Sequence, residues 1–382
     1  MKSINKHIII VLVVVFNVFP ADAQEENKID SLNNDVIQSI YNEVPADTNA
    51  KRSRFKAYPY AFYTPESKLA FGAGGIFTFY AGKEVGLKPS KIGFGGYYST
   101  NKQYKISMNN SFYFFDNKLY FHLPVSYGYF VNKYWGIGKD AADYDSAGYT
   151  VQTFAATLTV QLPPLWFAAD RSGIIIDYDY TTIVDKLNNK FLTNDTLPGS
   201  NGGQLIGFGA DLVWDNRDNI FFPNSGGYQY FKAVFYPGVS DYVFGFFELD
   251  LRHYRAFSKD HVLAGNFFLQ SAIGETPFYK LPAIGGKQMR GYFYGRYRDN
   301  FLAMLQMEYR QYFYRKLGFV AFASVGNVSE SILDYNLKNV KYTYGGGLRY
   351  LFNEKEKINL RMDIGIGTDG STGIYFGIEE VF

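Results

Sequence analysis

The chain has 382 residues and a formal net charge of +2, and its composition is unusual chiefly in its aromatic content of 34 Tyr, 36 Phe and 3 Trp. The near-neutral charge gives no electrostatic footprint for nucleic acid, and the absence of cysteine excludes disulfides and thiolate metal sites. Soluble domains rarely contain so much Tyr and Phe, whereas transmembrane β-barrels use both as girdles at the membrane interfaces.

Residues 1–23 predict a secretory signal peptide. Lys2 and Lys6 precede an apolar run from Ile8 to Phe19, and Ala21-Asp22-Ala23 follows that run. A membrane-anchor helix is the alternative, but the run is shorter than the roughly 20 residues that span a bilayer. The polar residues 24–54 predict a short periplasmic tether, because about 30 residues are too few for an independent domain.

From Phe55 onward, two-residue alternation and the turn residues between the runs predict sixteen β-strands. Their predicted bounds are 55–63, 68–80, 92–99, 103–115, 118–130, 149–162, 173–182, 204–214, 227–236, 242–254, 261–273, 301–313, 317–327, 342–351, 358–366 and 372–382. Long connections (131–148, 183–203, 274–300 and 328–341) alternate with mostly shorter ones, as loops and turns do on the two sides of an outer membrane. The sequence therefore predicts an all-β fold, a transmembrane antiparallel β-barrel domain over 55–382. Sixteen strands enclose a wide lumen, so we also expect an interior loop.

The polarity of the strand faces supports a membrane. In the strand 242–254, Glu248, Asp250 and Arg252 share one face, and Phe247, Leu249 and Leu251 share the other. A basic residue facing lipid at mid-membrane costs about 2–4 kcal/mol, so the charged face is expected to look into the lumen. A soluble β-sandwich is the alternative, but it would not explain the aromatic excess.

The last strand carries a predicted assembly signal. Phe376, Ile378 and Phe382 share its apolar face, while Tyr375 lies on the polar face. Glu380 interrupts the apolar face, and we expect its side chain to reach the lipid headgroups near the strand end.

Several segments resemble one family. Met289-Arg290-Gly291-Tyr292, between the eleventh and twelfth predicted strands, resembles the Val/Ile-Arg-Gly-Phe/Tyr signature of the BamA/TamA-like outer-membrane superfamily, also called bacterial surface antigens. The same family has a periplasmic turn that 215–226 resembles. Three later segments, 307–310, 345–350 and 359–365, resemble the strands that follow its signature loop. The residues that match the turn are Asp215, Arg217, Asp218, Pro223 and Gly226.

The resemblance implies that the loop with Met289, Arg290, Gly291 and Tyr292 folds back into the barrel and is locked there through its arginine. A guanidinium inside a barrel needs a planar, bidentate partner, and by family position that partner is Glu308. Family members often carry an Asp on the next strand, where this chain has Ser324. We expect Ser324 to be at most a neutral hydrogen-bond partner. An ordinary mobile surface loop is the alternative.

The sequence also departs from the family. Relatives carry periplasmic POTRA domains ahead of the barrel, whereas only residues 25–54 stand there in this chain. The resemblance therefore favours an accessory or specialised member over a housekeeping insertase.

No residue pattern predicts an enzyme, a cofactor or a metal site. A barrel lipase needs a Ser–His arrangement facing lipid, and His253, which shares a face with Leu249 and Leu251, is the one candidate; a structural or interfacial His is the simpler interpretation. Asp215, Arg217 and Asp218 are explained by the family turn as a hydrogen-bonded corner.

Three functions remain open at this point. The first is outer-membrane protein assembly, or translocation of polypeptide or lipid, through a weak seam between the first and last strands, with client proteins and periplasmic accessory subunits as partners. The second is a passive pore or structural wall protein. The third is a binding platform formed by the loops 131–148 and 183–203. All three place the protein among outer-membrane lipids.

Overall fold

The computed structural model describes residues 53–64, 67–82, 87, 90–115, 117–141, 148–162, 169–186, 189, 191–193, 196–219, 221–258, 261–338, 340–353, 357–378 and 380–382. The predicted signal peptide and nearly all of the predicted tether lie outside these residues. Sixteen strands form one antiparallel sheet in chain order, and two short strands, β12 and β13, pair separately. The strands are β1 Ser53–Thr64, β2 Lys68–Phe79, β3 Ser90–Ser99, β4 Tyr104–Phe114, β5 Leu119–Lys133, β6 Gly148–Leu162, β7 Arg171–Asp185, β8 Gly202–Asp215, β9 Ser225–Tyr236, β10 Phe244–Ser258, β11 His261–Gly274, β12 Ala283–Ile284, β13 Tyr297–Arg298, β14 Phe301–Tyr314, β15 Leu317–Ser329, β16 Lys341–Asn353, β17 Ile358–Gly367 and β18 Thr372–Ile378.

The predicted number and order of strands are confirmed. Most predicted bounds lie within three residues of the observed ones, and β10 extends farthest beyond its predicted end, to Ser258. The clear error is at β18, which ends at Ile378 although the alternation was interpreted as continuing to Phe382. Residues 380–382 leave the sheet because their side chains have partners inside the barrel, as described below.

The inner and outer faces follow the alternation of the sequence. On β10, Asp250 is buried and forms an ion pair with Arg252 (Oδ2 to Nη2, 2.6 Å), while Phe247 is 36% exposed. Asn266 Nδ2 on β11 donates to Asp250 Oδ1 at 2.6 Å. The charged face of this strand therefore lies inside the barrel, where opposite charges pair.

The two ends of the sheet meet at a seam between β1 and β18. The strands are in contact, but among the residues that the structure describes no backbone ladder joins them. Phe376 of β18 packs against the buried Ala70 of β2. The seam is thus held by side chains, whereas every other neighbouring pair of strands is joined by a ladder.

The interior of the barrel is filled near the end that carries the long loops. One apolar cluster contains Phe130, Tyr134, Tyr149, Phe278 and Tyr279 among its members. A second cluster contains Ile284, Met289 and Tyr292. Both clusters combine wall residues with residues of the 275–300 connection, so this connection is part of the core. Within the described ranges, no helix is long and apolar enough to cross a membrane.

Candidate functional site: the loop inside the barrel

The connection 275–300 between β11 and β14, called the inward loop below, lies inside the barrel. It begins with a 3-10 turn at Phe278–Lys280 and contains β12 and β13, which pair through Ala283 with Arg298 and Ile284 with Tyr297. Every residue from 281 to 292 is buried. The alternative of a mobile surface loop does not agree with this burial.

Close backbone packing seats the loop against β17. Gly291 has φ +125°, and a Cβ there would lie 2.8 Å from the carbonyl carbon of Ile366. On the wall, a Cβ at Gly365 would lie 2.5 Å from the carbonyl oxygen of Arg290. Both positions therefore require glycine, because a Cβ would not fit at either of them. Gly291 requires it also because of its positive φ.

Arg290 is 1% exposed and binds two carboxylates. Its Nη2 donates to Glu308 of β14, which is the pair predicted from the sequence. Its Nη1 donates to Asp363 Oδ2 of β17 at 2.6 Å, an acid that the sequence analysis did not assign. The guanidinium also lies 3.5 Å from the ring centroid of Phe322, so charge pairing and cation–π contact act together.

Ser324 does not contact Arg290. Its hydroxyl donates to Gln306 Oε1 at 3.3 Å, and the same oxygen accepts the N–H of Met289 at 3.4 Å. Ser324 therefore supports the loop indirectly. Met289, also predicted in the loop motif, is fully buried in the second apolar cluster.

The intervening strand explains how Asp363 reaches Arg290. A Cβ at Gly347 of β16 would collide with Asp363 Oδ1, and one at Gly345 would collide with the ring of Phe322. The glycine run of β16 leaves room for side chains from the strands on both sides. The sequence signal for this second partner of Arg290 is a carboxylate on β17, two strands after β15, with glycines on the strand between them.

A buried charge network surrounds Arg290. Asp363 also accepts from Arg349 Nη1 (2.6 Å) and Arg361 Nη1 (2.9 Å), and Glu308 accepts from Arg310 Nε at 2.9 Å. We define the network as four arginines and three acids, all buried: Arg290, Arg310, Arg349, Arg361, Glu308, Asp363 and Glu380. Charges removed from water in this way are stable only while each keeps its partners.

The residues after β18 complete this network, which corrects the expectation for Glu380. Glu380 is buried, and Arg349 Nε donates to its Oε2 at 2.8 Å. Phe382 is 6% exposed, packs beside Tyr254, and its carbonyl oxygen accepts from Arg310 Nη2 at 2.7 Å. Phe382 therefore faces the interior rather than lipid. Ile378 pairs with Leu360 in the sheet, but its side chain lies outside what the structure describes.

Tyr292 ties the loop to the last strands. Its hydroxyl contacts Thr368, beyond β17, and accepts the N–H of Thr368 at 3.0 Å. Tyr375 of β18 accepts the N–H of Gly291 at 2.9 Å and donates to the carbonyl oxygen of Tyr292 at 3.3 Å.

The beginning of the loop is attached to a different wall. Lys280 Nζ lies 2.8 Å from Asp179 Oδ2 of β7. Phe278 packs against Tyr134 and Tyr149, and its carbonyl oxygen accepts from Arg298 Nη1 at 2.9 Å. β7 and β17 are the seventh and fifteenth strands of the sixteen in the sheet, so the two attachments lie half-way around the sheet from each other. The loop therefore crosses the bore.

The loops proposed as a binding platform pack onto the inward loop. Tyr134 and Trp135 are buried, and the N–H of Gly138 donates to the carbonyl oxygen of Arg298 at 2.8 Å. Asn189 Nδ2 donates to the carbonyl oxygen of Tyr134 at 3.1 Å. Residues 142–147 lie outside the described part of the chain. The described residues 134–141 and 189 therefore help to close the mouth of the barrel.

The predicted turn motif forms a hydrogen-bonded corner between β8 and β9. Arg217 donates from Nε and Nη2 to both oxygens of Asp215, at 2.8 and 2.7 Å. Asp218 Oδ1 accepts the N–H groups of Asn224 (2.8 Å) and Ser225 (3.1 Å). Burial alone would raise the pKa of Asp218, but these hydrogen bonds outweigh burial and lower it. Pro223 is buried, and Gly226 has φ +94°, with no room for a Cβ beside the Asn216 carbonyl.

The histidines show no catalytic arrangement in the described residues. His122 Nε2 lies 3.0 Å from Asn109 Oδ1 in the lumen, His261 contacts Tyr309, and His253 is exposed on the outer face. No group of three His, Asp or Glu side chains that could hold a metal ion occurs in the described ranges. That the protein is not an enzyme stays a prediction.

Comparison with known proteins agrees with this geometry. The model of the Omp85 superfamily domain matches residues 71–382. This chain belongs to the Omp85 superfamily. No curated protein matches the sequence.

Among solved structures, the chain is similar to BamA from Haemophilus ducreyi lacking POTRA domains 1–3, with a TM-score of 0.62 and 14% identity over 86% of this chain and 70% of that one. It is also similar to CdiB from Acinetobacter baumannii, with a TM-score of 0.54 and 11% identity over 86% of this chain and 60% of that one. At such low identity these likenesses show the fold. Together with the family they identify a BamA/TamA-like outer-membrane β-barrel.

Proposed function

We propose that this barrel acts in outer-membrane protein assembly, or in translocation of polypeptide or lipid, by opening the seam between β1 and β18. The observation that supports this most directly is the seam itself, where two strand edges lie in contact without a ladder in the described residues. An unpaired strand edge is a template for another strand. Opening there would present such an edge to a client chain in the membrane.

The inward loop supports the same proposal. It is attached to β7 at one end and to β14, β17 and β18 near the other. This arrangement keeps the bore filled. A barrel that opens laterally needs a filled bore, because its axial channel must stay closed while the wall opens.

A cross-link over the seam tests the proposal. The chain has no cysteine, so Ala70→Cys with Phe376→Cys introduces one pair, at side chains that pack together across the seam. Joining the two by a short thiol cross-linker should abolish the assembly or transport process, and reversing the cross-link should restore it. The matched control is Leu305→Cys with Val325→Cys, directly opposite residues of β14 and β15, whose cross-link should leave the process intact. Full activity with the seam locked would refute lateral opening.

Depletion of the protein followed by outer-membrane proteomics identifies the process. Loss of many other barrels would indicate general assembly, and loss of one client would indicate dedicated secretion. An accessory role would give the second result. Unchanged levels of all outer-membrane proteins would contradict the assembly function.

The passive pore is the competing function. It requires an open bore, whereas the inward loop and its aromatic clusters fill the bore at the long-loop end. Planar-bilayer recordings should therefore show little steady conductance. A large, permanently open state would favour the pore over lateral opening.

A further inference from the structure

Residues 330–338 of the connection between β15 and β16, called the β15–β16 loop below, fold over the outside of the barrel. Glu308 and Arg310 belong to the interior network, so the odd-numbered side chains of β14 point outward. Two of these, Phe301 and Ala303, are nevertheless buried. Tyr335 covers them, since its ring packs edge-on against Phe301 (5.6 Å between centroids) and its hydroxyl donates to the carbonyl oxygen of Ala303 at 3.0 Å.

A polar residue on the outer face of β15 makes the second contact between the wall and the β15–β16 loop. Asn327 of β15 lies directly opposite Ala303 and shares its outward face, yet it is 1% exposed. Its Nδ2 donates to the carbonyl oxygen of Asn336 at 3.4 Å. A side-chain amide on a lipid-facing wall needs such a partner, because hydrocarbon offers none. The loop thus provides a polar contact for a polar position on the outer face.

Three aliphatic side chains of this loop are uncovered. Ile332, Leu333 and Leu337 are 65%, 92% and 79% exposed. The next outward row of the wall consists of Leu305, Val325 and Tyr342, which lie opposite one another on β14, β15 and β16 and are 38–54% exposed. The loop lies over Phe301, Ala303 and Asn327, the outward positions next to this row, so its exposed aliphatic side chains stand on the same outer face of the barrel.

We propose that the β15–β16 loop is a membrane anchor that inserts Ile332, Leu333 and Leu337 among the acyl chains of the outer leaflet. Ala303 lies two residues below the strand end at Phe301, which is about 7 Å along a strand, so the loop descends along the wall instead of standing above it. Large exposed apolar groups on a membrane protein mark contact with lipid or with a partner. Continuity with the lipid-facing row favours lipid. The exposed Glu330, Asp334 and Lys338 limit the insertion to the boundary between acyl chains and headgroups.

Site-directed spin labelling of the full chain in liposomes tests this anchor. Leu333→Cys and Leu337→Cys place a nitroxide at exposed positions of a chain without cysteine, and heat-modifiable migration on gels confirms that the variants fold. The lipid-facing reference is Val325→Cys, and the water-facing reference is Asp140→Cys in the exposed part of another long loop. We expect the labels at 333 and 337 to collide more with oxygen than with a water-soluble nickel chelate, as at 325.

Two results at positions 333 and 337 would overturn the proposal. Greater collision with the nickel chelate, as at 140, would place the loop in water. Low collision with both reagents would mean that protein, a partner or a second copy, covers it. If the label at 325 itself were accessible to nickel, the wall would not face lipid, and the failure would lie in the barrel assignment rather than in the loop.

Discussion

The wall of β14–β18 and the wall of β1–β6 perform different tasks with the same backbone arrangement. The first carries Glu308, Arg310, Arg349, Arg361 and Asp363, all buried in the charge network. The second contains no Asp or Glu in any of its six strands, and its inward positions on β4 and β5 are mostly neutral, for example Ser107, Asn109, Ser111 and Ser126. The inward loop also packs on this second wall, where Phe278 contacts Tyr149 of β6, but that contact is apolar. The charge network is found where the Arg290 end of the loop docks, which indicates that its charges serve attachment of that end.

Removing the acid at the centre of the network should have the largest effect. Asp363→Ala leaves Arg290, Arg349 and Arg361 without their shared carboxylate, and removing one partner of a buried ion pair costs about 3–5 kcal/mol. On the opposite wall, Asn109→Ala removes the hydrogen bond to His122 and should cost about 1–2 kcal/mol. Urea unfolding of both variants in lipid measures the difference. Equal losses would mean that the two walls do not differ as described.

Gly291→Ala tests the backbone contact rather than the charges. The φ of +125° and the carbonyl carbon of Ile366 leave no room for a Cβ, and strain of this kind costs about 1–3 kcal/mol. We expect the loop to leave the wall and become cleavable by trypsin after Lys287 or Arg290. The matched control is Gly265→Ala in β11, where a Cβ meets nothing within 4 Å. Protection from trypsin in both variants would argue against seating by close packing.

The second attachment of the loop should be the weaker one. Lys280 is about a quarter exposed and forms an ion pair with Asp179, so Lys280→Ala is expected to cost about 1 kcal/mol or less. The Arg290 end should stay docked while the β7 side loosens. Planar-bilayer recordings should then show brief conductance steps that the unmodified protein lacks. The comparison variant is Arg290→Ala, which removes the two ion pairs at the other end of the loop. A larger conductance in Lys280→Ala than in Arg290→Ala would reverse the order of the two anchors.

The turn at Asp218 lies outside the bore, so a substitution there should change the stability of the protein least. Its carboxylate has a lowered pKa in the folded state, so its contribution is present above the ordinary pKa of 3.8 and is lost as the pH falls below that value. Asp218→Asn should remove this part of the acid dependence, by less than about 1 kcal/mol because the group is mostly exposed. Unfolding midpoints measured between neutral pH and pH 3 check the sign. A variant that loses stability mainly at alkaline pH would contradict it.

The sequence by itself determined the strands, their order and their two faces. Alternation is a local property of the chain, and lipid outside with water inside makes every strand obey it, so the charged face of β10 and the inward position of Glu308 could be predicted. The signature loop was also recognisable, because Arg290 stands in a motif of four adjacent residues.

Only the tertiary structure decided which groups meet. Asp363 reaches Arg290 because Gly345 and Gly347 leave the intervening strand open, a fact that depends on register across three strands. Glu380 and Phe382 turn inward because Arg349 and Arg310 offer them buried partners, which outweighs the alternation that predicted an outward Phe382. Gly365 makes room for the Arg290 carbonyl, a contact between the wall and the inward loop. These contacts join residues far apart along the chain, and no local pattern encodes them.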